Sequence, residues 1–228
     1  MKDNYSIFLN RILFYHPSAD GQISVNERKA MLEFFEKKRP HNGMTYTDYI
    51  FSIEKKIEST NIDSLSDDER GDYNTIKLNL ARSYRIQKTF EASEVIKKVV
   101  EKIDTPQLWM VLTEDWCGDS AQNLPFIAKI AEINSKIDLR ILFRDDNLDI
   151  MDLYQTNGTR SIPKLIAFDE NGNELFQWGA RPAKAQELVN ELKSKGISKE
   201  EYIEKLHLWY AKDKGNELEK EFIQILKT

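Results

Sequence analysis

The chain has 228 residues and a mass of 26.7 kDa, enough for one sizeable domain or two small ones. Its 33 Lys and Arg against 38 Asp and Glu give a formal charge of −5, which argues against a nucleic-acid partner and against binding at an anionic membrane. The single cysteine excludes an internal disulfide and a cysteine-rich metal centre, and no stretch reaches transmembrane length, so we expect a cytoplasmic protein.

Residues 1–103 are predicted to form a helical N-terminal region, because apolar residues recur there at helical spacing. Ser24 with Glu27, Thr45 with Asp48 and Ser66 with Glu69 have the spacing of helix-capping pairs. The apolar stripes run from Tyr5 to Leu13, from Ala30 to Phe35, from Tyr49 to Ile57, from Tyr73 to Tyr84 and, within a helix predicted over Phe90 to Ile103, from Val95 to Val100.

The pattern changes after Thr105-Pro106, where the short apolar run from Leu108 to Leu112 predicts a strand buried on both faces. The elements predicted after it are a helix from Gly118 to Asn134, a strand from Leu139 to Phe143, a helix from Leu148 to Tyr154, a hairpin of strands from Lys164 to Phe168 and from Glu174 to Trp178, and a helix from Pro182 to Lys195. This order predicts an α/β domain over residues 104–196 with a central mixed sheet flanked by helices. Two amphipathic helices, broken near Gly215, fill residues 197–228 and are expected to pack on that domain.

Cys117 is the candidate reactive residue, because it follows a buried strand and directly precedes an amphipathic helix. The unpaired amides of a helix N-terminus stabilise a thiolate and lower the pKa of a cysteine. Trp116 is expected to shield one side of the sulfur, and Gly118 lets the backbone turn tightly beside it.

The charges near Cys117 in the sequence have both signs. Carboxylates favour the neutral thiol and oppose the effect of the helix terminus, whereas a guanidinium would counter them. The acidic residues are Glu114, Asp115 and Asp119, and the candidate counter-charges are Arg160 and Arg181. The sequence leaves the sign of the net pKa shift open.

The segment Trp116 to Ser120, Trp-Cys-Gly-Asp-Ser, resembles the Trp-Cys-Gly-X-Cys motif of the thioredoxin family, with Ser120 in place of the second cysteine. Pro125, the run Arg160 to Pro163, and the predicted hairpin with Gly179 after it also resemble parts of that family, so the resemblance covers about Asp104 to Lys195. A bacterial thioredoxin-like subgroup is similar in the segments Thr113 to Asp119, Arg144-Asp145, Asn157 to Arg160 and Trp209 to Asp213.

This resemblance implies a thioredoxin-like fold in which Pro163 is cis and faces the sulfur, leaving the Ile162 backbone to pair with an extended substrate. Two departures matter. Ser120 removes the resolving cysteine, so no dithiol cycle can run within one chain, and Val111 stands where the family has a buried acid. Ser120 can still donate a hydrogen bond to the Cys117 thiolate.

The leading hypothesis is a cytoplasmic single-cysteine thiol–disulfide oxidoreductase without a cofactor. Its substrate would be a protein or a low-molecular-weight thiol or disulfide, and an external thiol would release the mixed disulfide. The catalytic candidates are Cys117 and Ser120, and the substrate-binding candidates are Trp116, Gly118, Asp119, Ile162 and Pro163. The alternative is a non-catalytic thioredoxin-fold module that binds a partner in the groove beside Pro163. A peroxidase is a poorer third choice, because the required Thr and Arg spacing is not evident.

No metal site is expected. Residues from His16 to Glu27 fall at the spacing of a calcium-binding loop, but the match is weak and an ordinary helix–turn–helix is favoured. The histidines at 16, 41 and 207 have no ligand spacing, and His207 is predicted to be a surface or packing residue.

Overall fold

A computed structural model describes residues 43–227 of the chain. The helices predicted from Tyr5 to Leu13 and from Ala30 to Phe35, and the calcium-type spacing from His16 to Glu27, lie outside the described residues.

The first helices of the described chain begin at capping residues. Helix α1 is Tyr46–Ser59, followed by a 3-10 turn at Ile62–Ser64, helix α2 at Asp67–Thr89 and helix α3 at Glu94–Val100. The Thr45 hydroxyl accepts from the Asp48 amide, and Ser66 with Glu69 forms a reciprocal capping box, so both predicted caps are confirmed. The helix predicted from Phe90 begins only at Glu94, because Phe90 ends α2 in an extended conformation and Ser93 caps α3.

Four strands form one mixed sheet in the order β2-β1-β3-β4. The strands are β1 Gln107–Thr113, β2 Ile137–Phe143, β3 Lys164–Asp169 and β4 Glu174–Gly179. Strand β1 pairs in parallel with β2 and antiparallel with β3, and β3 pairs antiparallel with β4. The predicted α/β class, with a mixed sheet and flanking helices, is confirmed.

The remaining helices are α4 Gly118–Ala131, α5 Leu148–Met151, α6 Ala183–Ser194, α7 Lys199–Asp213 and α8 Asn216–Ile225. Helix α4 ends three residues earlier than predicted. Asn134 lies beyond its end, and its side-chain amide donates to the carbonyls of Val100 and Ile103. Helices α7 and α8 are separated at Gly215, which has a φ of 88°. A Cβ atom there would lie 2.5 Å from the Phe126 ring, so the break needs glycine.

Apolar side chains fill both faces of the sheet. On one face, a core cluster joins helices α1, α2, α3, α4 and α8 to the strands around the fully buried Trp109. On the other face, a smaller cluster packs α5 and the Ile162 side chain against β1, β2 and β3, and it includes Cys117. The segment before α1 also reaches the sheet, because Met44 exchanges two backbone hydrogen bonds of 2.8 Å with Ile141 on β2. Cys117 therefore belongs to the core at one end of the sheet.

No helix within residues 43–227 combines the length and the apolar character that crossing a membrane requires.

The shared core yields a prediction about stability. Phe222 on α8 is fully buried, and its ring centroid lies 5.7 Å from those of Trp109 and Trp178. Replacing it, Phe222→Ala, should lower the free energy of unfolding by about 3–5 kcal/mol, because burial is lost and a cavity is left. Urea denaturation measures this change. The control Leu208→Ala removes an exposed side chain and should change stability by less than about 0.5 kcal/mol. Equal effects of the two variants would contradict the assigned core.

Candidate functional site

The Cys117 sulfur lies at the N-terminus of α4, between that helix and the Ile162 backbone. Cys117 is the N-cap residue, and its Sγ accepts a hydrogen bond of 3.4 Å from the Ser120 amide. On its other side the thiol donates to the Ile162 carbonyl oxygen over 3.3 Å. Strand β1 fixes this position, because it ends at Thr113 and the chain then turns directly into α4. Ser120 and the Ile162 backbone, both predicted to belong to the site, thus contact the sulfur.

The Ile162–Pro163 segment is held close to β4. The peptide bond between these residues is cis. Opposite them, Gly179 has a φ of 128°, and a Cβ atom on it would lie 2.1 Å from the Pro163 carbonyl oxygen. A side chain at position 179 would therefore displace the Pro163 backbone. In the part of the chain that the structure describes, the Ile162 amide has no hydrogen-bond acceptor, so this donor is available to a ligand.

The surroundings of Cys117 favour the neutral thiol. Burial raises the pKa of the Cys117 thiol, and the negative charge of Asp119 raises it further. Hydrogen bonds from the Ser120 hydroxyl and from the amides of Ser120 and Asp119 act in the opposite direction and are outweighed. The sign that the sequence left open is therefore upward, because only 8% of the residue is exposed.

Ser120 belongs to a buried chain of hydroxyl groups. The Thr113 hydroxyl donates to the Ser120 Oγ over 2.6 Å, which leaves the Ser120 proton for the sulfur. Thr113 is in turn hydrogen-bonded to the Tyr49 hydroxyl, which α1 contributes. Sequence reasoning missed Tyr49, because it lies on the apolar stripe of its helix and nothing in that stripe indicates a polar contact.

The Asp119 carboxylate is bound by two other side chains of the protein. Its Oδ2 accepts from the Arg181 Nε over 3.1 Å, and its Oδ1 accepts from the Tyr210 hydroxyl over 2.6 Å. Of the two predicted counter-charges, Arg181 thus contacts Asp119. Arg160 does not, because it pairs with Asp152 over 2.7 Å. The Tyr210 contact was not expected from the sequence, since it joins positions 91 residues apart.

Trp116 lies at the rim of the site, with 42% of the residue exposed. The Arg144 guanidinium is 5.0 Å from the centre of its ring, in cation–π geometry, and also donates to the Arg160 carbonyl oxygen over 3.3 Å. Arg144 therefore links the Trp116 side of the site to the loop that precedes Ile162. The same guanidinium forms an ion pair of 2.7 Å with Asp145.

The acidic residues before Cys117 are buried and have partners of their own. Asp115 forms an ion pair of 2.6 Å with Lys56 on α1. Glu114 accepts from the Asp145 amide over 2.8 Å, and burial raises the pKa of its carboxyl group. Both carboxylates are thus engaged away from the sulfur. Across residues 43–227, no group of three or more His, Cys, Asp and Glu side chains is placed to hold a metal ion.

His207 on α7 packs directly on Gly118. A Cβ atom at position 118 would lie 2.9 Å from the imidazole Nε2, so a side chain there would displace the imidazole. The Gln122 amide lies 3.2 Å from the imidazole Nδ1. Burial, with a smaller contribution from the Arg82 charge, lowers the pKa of His207 to about 4. His207 is therefore a neutral packing residue at neutral pH.

A groove of about 930 Å³ lies next to the loop that leads into Ile162. Ser161, Gly179, Ala180 and Arg181 line its end nearest that segment, and helix α6 supplies Gln186, Asn190 and Lys193 to its wall. The groove is large enough for several residues of an extended peptide. The groove reaches Ser161, the residue that precedes Ile162 in the chain.

Comparison with known proteins agrees with this architecture. A family model described as Thioredoxin matches residues 68–193, which is more than half of the chain. The chain therefore belongs to this thioredoxin-like family. The match starts inside α2, before the predicted boundary at residue 104. No curated protein matches the chain.

Two solved structures are similar to the protein. One is the crystal structure of a protein of unknown function from Pseudomonas aeruginosa, with 15% identity and a TM-score of 0.53. The other is an HIV epitope-scaffold, with 17% identity and a TM-score of 0.54. Each comparison covers 86% of this chain and 96% of the other. At these identities the likeness shows the fold alone.

The packing of His207 predicts how stability depends on pH. Burial places the folded-state pKa, about 4, below the ordinary value of 6.5, so the unfolded state binds more protons between these pH values. His207 should therefore reduce stability as the pH falls from about 6.5 to about 4. His207→Gln should show a shallower loss of stability over this range, measured by urea denaturation at a series of pH values. Parallel curves for the two proteins would contradict the assigned burial.

Proposed function

We propose that the protein is a single-cysteine thiol–disulfide oxidoreductase of the bacterial thioredoxin-like subgroup and acts in the cytoplasm. The observation that supports this most directly is the position of the Cys117 sulfur. It is bound by the Ser120 amide at a helix N-terminus and lies against Ile162, whose own amide is available to a substrate backbone. A disulfide aligned along Ile162 and Pro163 would present a sulfur atom to Cys117.

The proposed reaction is exchange without net oxidation. The Cys117 thiol gives its proton to solvent, and the thiolate attacks one sulfur of a substrate disulfide R–S–S–R′. A bond forms between Cys117 and the R sulfur, the substrate S–S bond breaks, and R′ leaves as a thiolate that takes up a proton. An external thiol, once deprotonated, then attacks the R sulfur. This forms a new disulfide and releases the Cys117 thiolate.

The raised pKa of Cys117 determines how this chemistry would run. A thiolate of high pKa is rare at neutral pH but strongly nucleophilic, and it is a poor leaving group. The mixed disulfide on Cys117 would therefore form slowly and persist. Ser120 would assist as a hydrogen-bond donor to the thiolate, while Trp116, Gly118, Asp119, Ile162 and Pro163 would shape the surroundings of the bound substrate. The substrates fitting this scheme are protein or low-molecular-weight disulfides, with no cofactor.

The burial of Cys117 favours a second candidate function. A thiol that is 8% exposed and mostly protonated also suits a thioredoxin-fold module that binds a partner in the groove beside Pro163 without chemistry. Under that candidate, Cys117 is a core residue. The two candidates differ in what Cys117→Ser does to partner binding and to exchange.

Exchange should depend on the Cys117 thiolate. With oxidised glutathione as the disulfide, intact-mass spectrometry should show a glutathione adduct on the wild-type protein, at a rate that rises from pH 7 to pH 9 because the thiolate population rises. Cys117→Ser should form no adduct. A wild-type protein that forms no adduct over this range, together with a Cys117→Ser variant that retains a partner captured by the wild type, would favour the binding module instead.

Restoring a second thiol should shorten the life of the mixed disulfide. Ser120 is buried, and its amide donates to the Cys117 sulfur. In Ser120→Cys the new thiol should attack the Cys117 side of the mixed disulfide, release the substrate thiol and form an internal disulfide. Free thiol released from the isolated glutathione adduct, measured without added reductant, follows this step. The matched variant Ser120→Ala should keep its adduct, and an equally stable adduct on Ser120→Cys would contradict the proposed geometry.

A further inference from the structure

The Asp119 carboxylate is the negative charge that most affects the Cys117 thiol, and two groups from later elements bind it. Arg181, just after β4, donates from Nε to Oδ2 over 3.1 Å, and its terminal nitrogen also donates to that oxygen. Tyr210 on α7 donates from its hydroxyl to Oδ1 over 2.6 Å. Each carboxylate oxygen thus has a donor from outside α4.

The direction of the Tyr210 hydrogen bond is fixed by a neighbouring amide. The Asn123 Nδ2 donates to the Tyr210 hydroxyl oxygen over 3.1 Å and to the Asp119 carbonyl oxygen over 2.8 Å. A phenol has one proton, and an amide nitrogen only donates, so the Tyr210 proton is left for Asp119. Tyr210 is 6% exposed, so water competes little for this contact.

Among the groups that surround the sulfur, Asp119 supplies the negative charge that opposes formation of the thiolate. Asp119, Arg181 and Tyr49 act on Cys117 directly, and Tyr49 is an uncharged phenol at neutral pH. His207 on α7, which packs on Gly118, is neutral as well. A carboxylate whose charge is shared with a guanidinium and a phenol repels a nearby thiolate less than an unpaired carboxylate does.

We propose that Tyr210 is a positioning residue of the Cys117 site, through which helix α7 controls the reactivity of the sulfur by binding Asp119 together with Arg181. This inference rests on the proposed function, in which the Cys117 thiolate is the attacking group. It assigns to the C-terminal helices a part in the chemistry as well as in packing. Without the Tyr210 hydroxyl, the Asp119 charge would act more strongly on the thiolate.

A double-mutant cycle tests this assignment. The rate at which iodoacetamide alkylates Cys117 is measured from pH 7 to pH 10 in the wild type, Tyr210→Phe, Asp119→Asn and the double variant. Tyr210→Phe should move the pH midpoint upward and slow alkylation at pH 8 by about threefold, and Asp119→Asn should move it downward. In the Asp119→Asn background, Tyr210→Phe should cause no shift, because no carboxylate charge remains.

The control is Tyr202→Phe on the same helix, whose side chain lies outside this network and which should match the wild type. If Tyr210→Phe does not fold, as judged by circular dichroism, Arg181→Gln replaces it in the cycle. Because Arg181 also acts on Cys117 directly, its upward shift should be smaller, rather than absent, in the Asp119→Asn background. An unchanged midpoint in Tyr210→Phe, or an equal shift in the Asp119→Asn background, would overturn the inference. Glutathione-adduct formation is measured separately from alkylation. If the alkylation rates change as expected but the protein forms no glutathione adduct, the result contradicts the proposed function and not the role of Tyr210.

Discussion

The Cys117 sulfur is subject to two opposing influences, and the rest of the site is arranged around them. The amides at the start of α4 stabilise a thiolate, whereas burial in the cluster beneath Ile162 stabilises the thiol. The helix terminus alone would have indicated an activated cysteine. Burial reverses that expectation, because a terminus offers only partial charges while desolvation removes most of the hydration of the anion.

The same balance explains why contacts outside the thioredoxin-like segment matter to the site. Tyr49 from the N-terminal helices binds Thr113, which donates to Ser120, and Tyr210 from the C-terminal helices binds Asp119. Neither residue touches the groove beside Ile162. Their hydroxyls instead bind Thr113 and Asp119, in addition to the partners that these side chains have in Ser120 and Arg181.

The sheet and the position of the sulfur could be predicted because their signals are local. The apolar run in β1, the turn in the hairpin and the Trp-Cys-Gly motif each occupy a few consecutive residues. The partner of Asp119 could not be chosen in the same way, because the sequence offers both Arg160 and Arg181, and only the folded chain shows that Arg181 is the one in contact. Helix α3 starts later than the apolar pattern predicted, because the Ser93 side chain caps the helix at that point.

The bridge between Met44 and Ile141 has a consequence for association between chains. Strand β2 forms one edge of the sheet, and an exposed edge offers unpaired backbone groups on which a second chain can add a strand. Met44 uses the amide and carbonyl of Ile141 near the middle of that edge. A second chain that adds a strand at this edge would therefore have to displace Met44 from these two backbone groups.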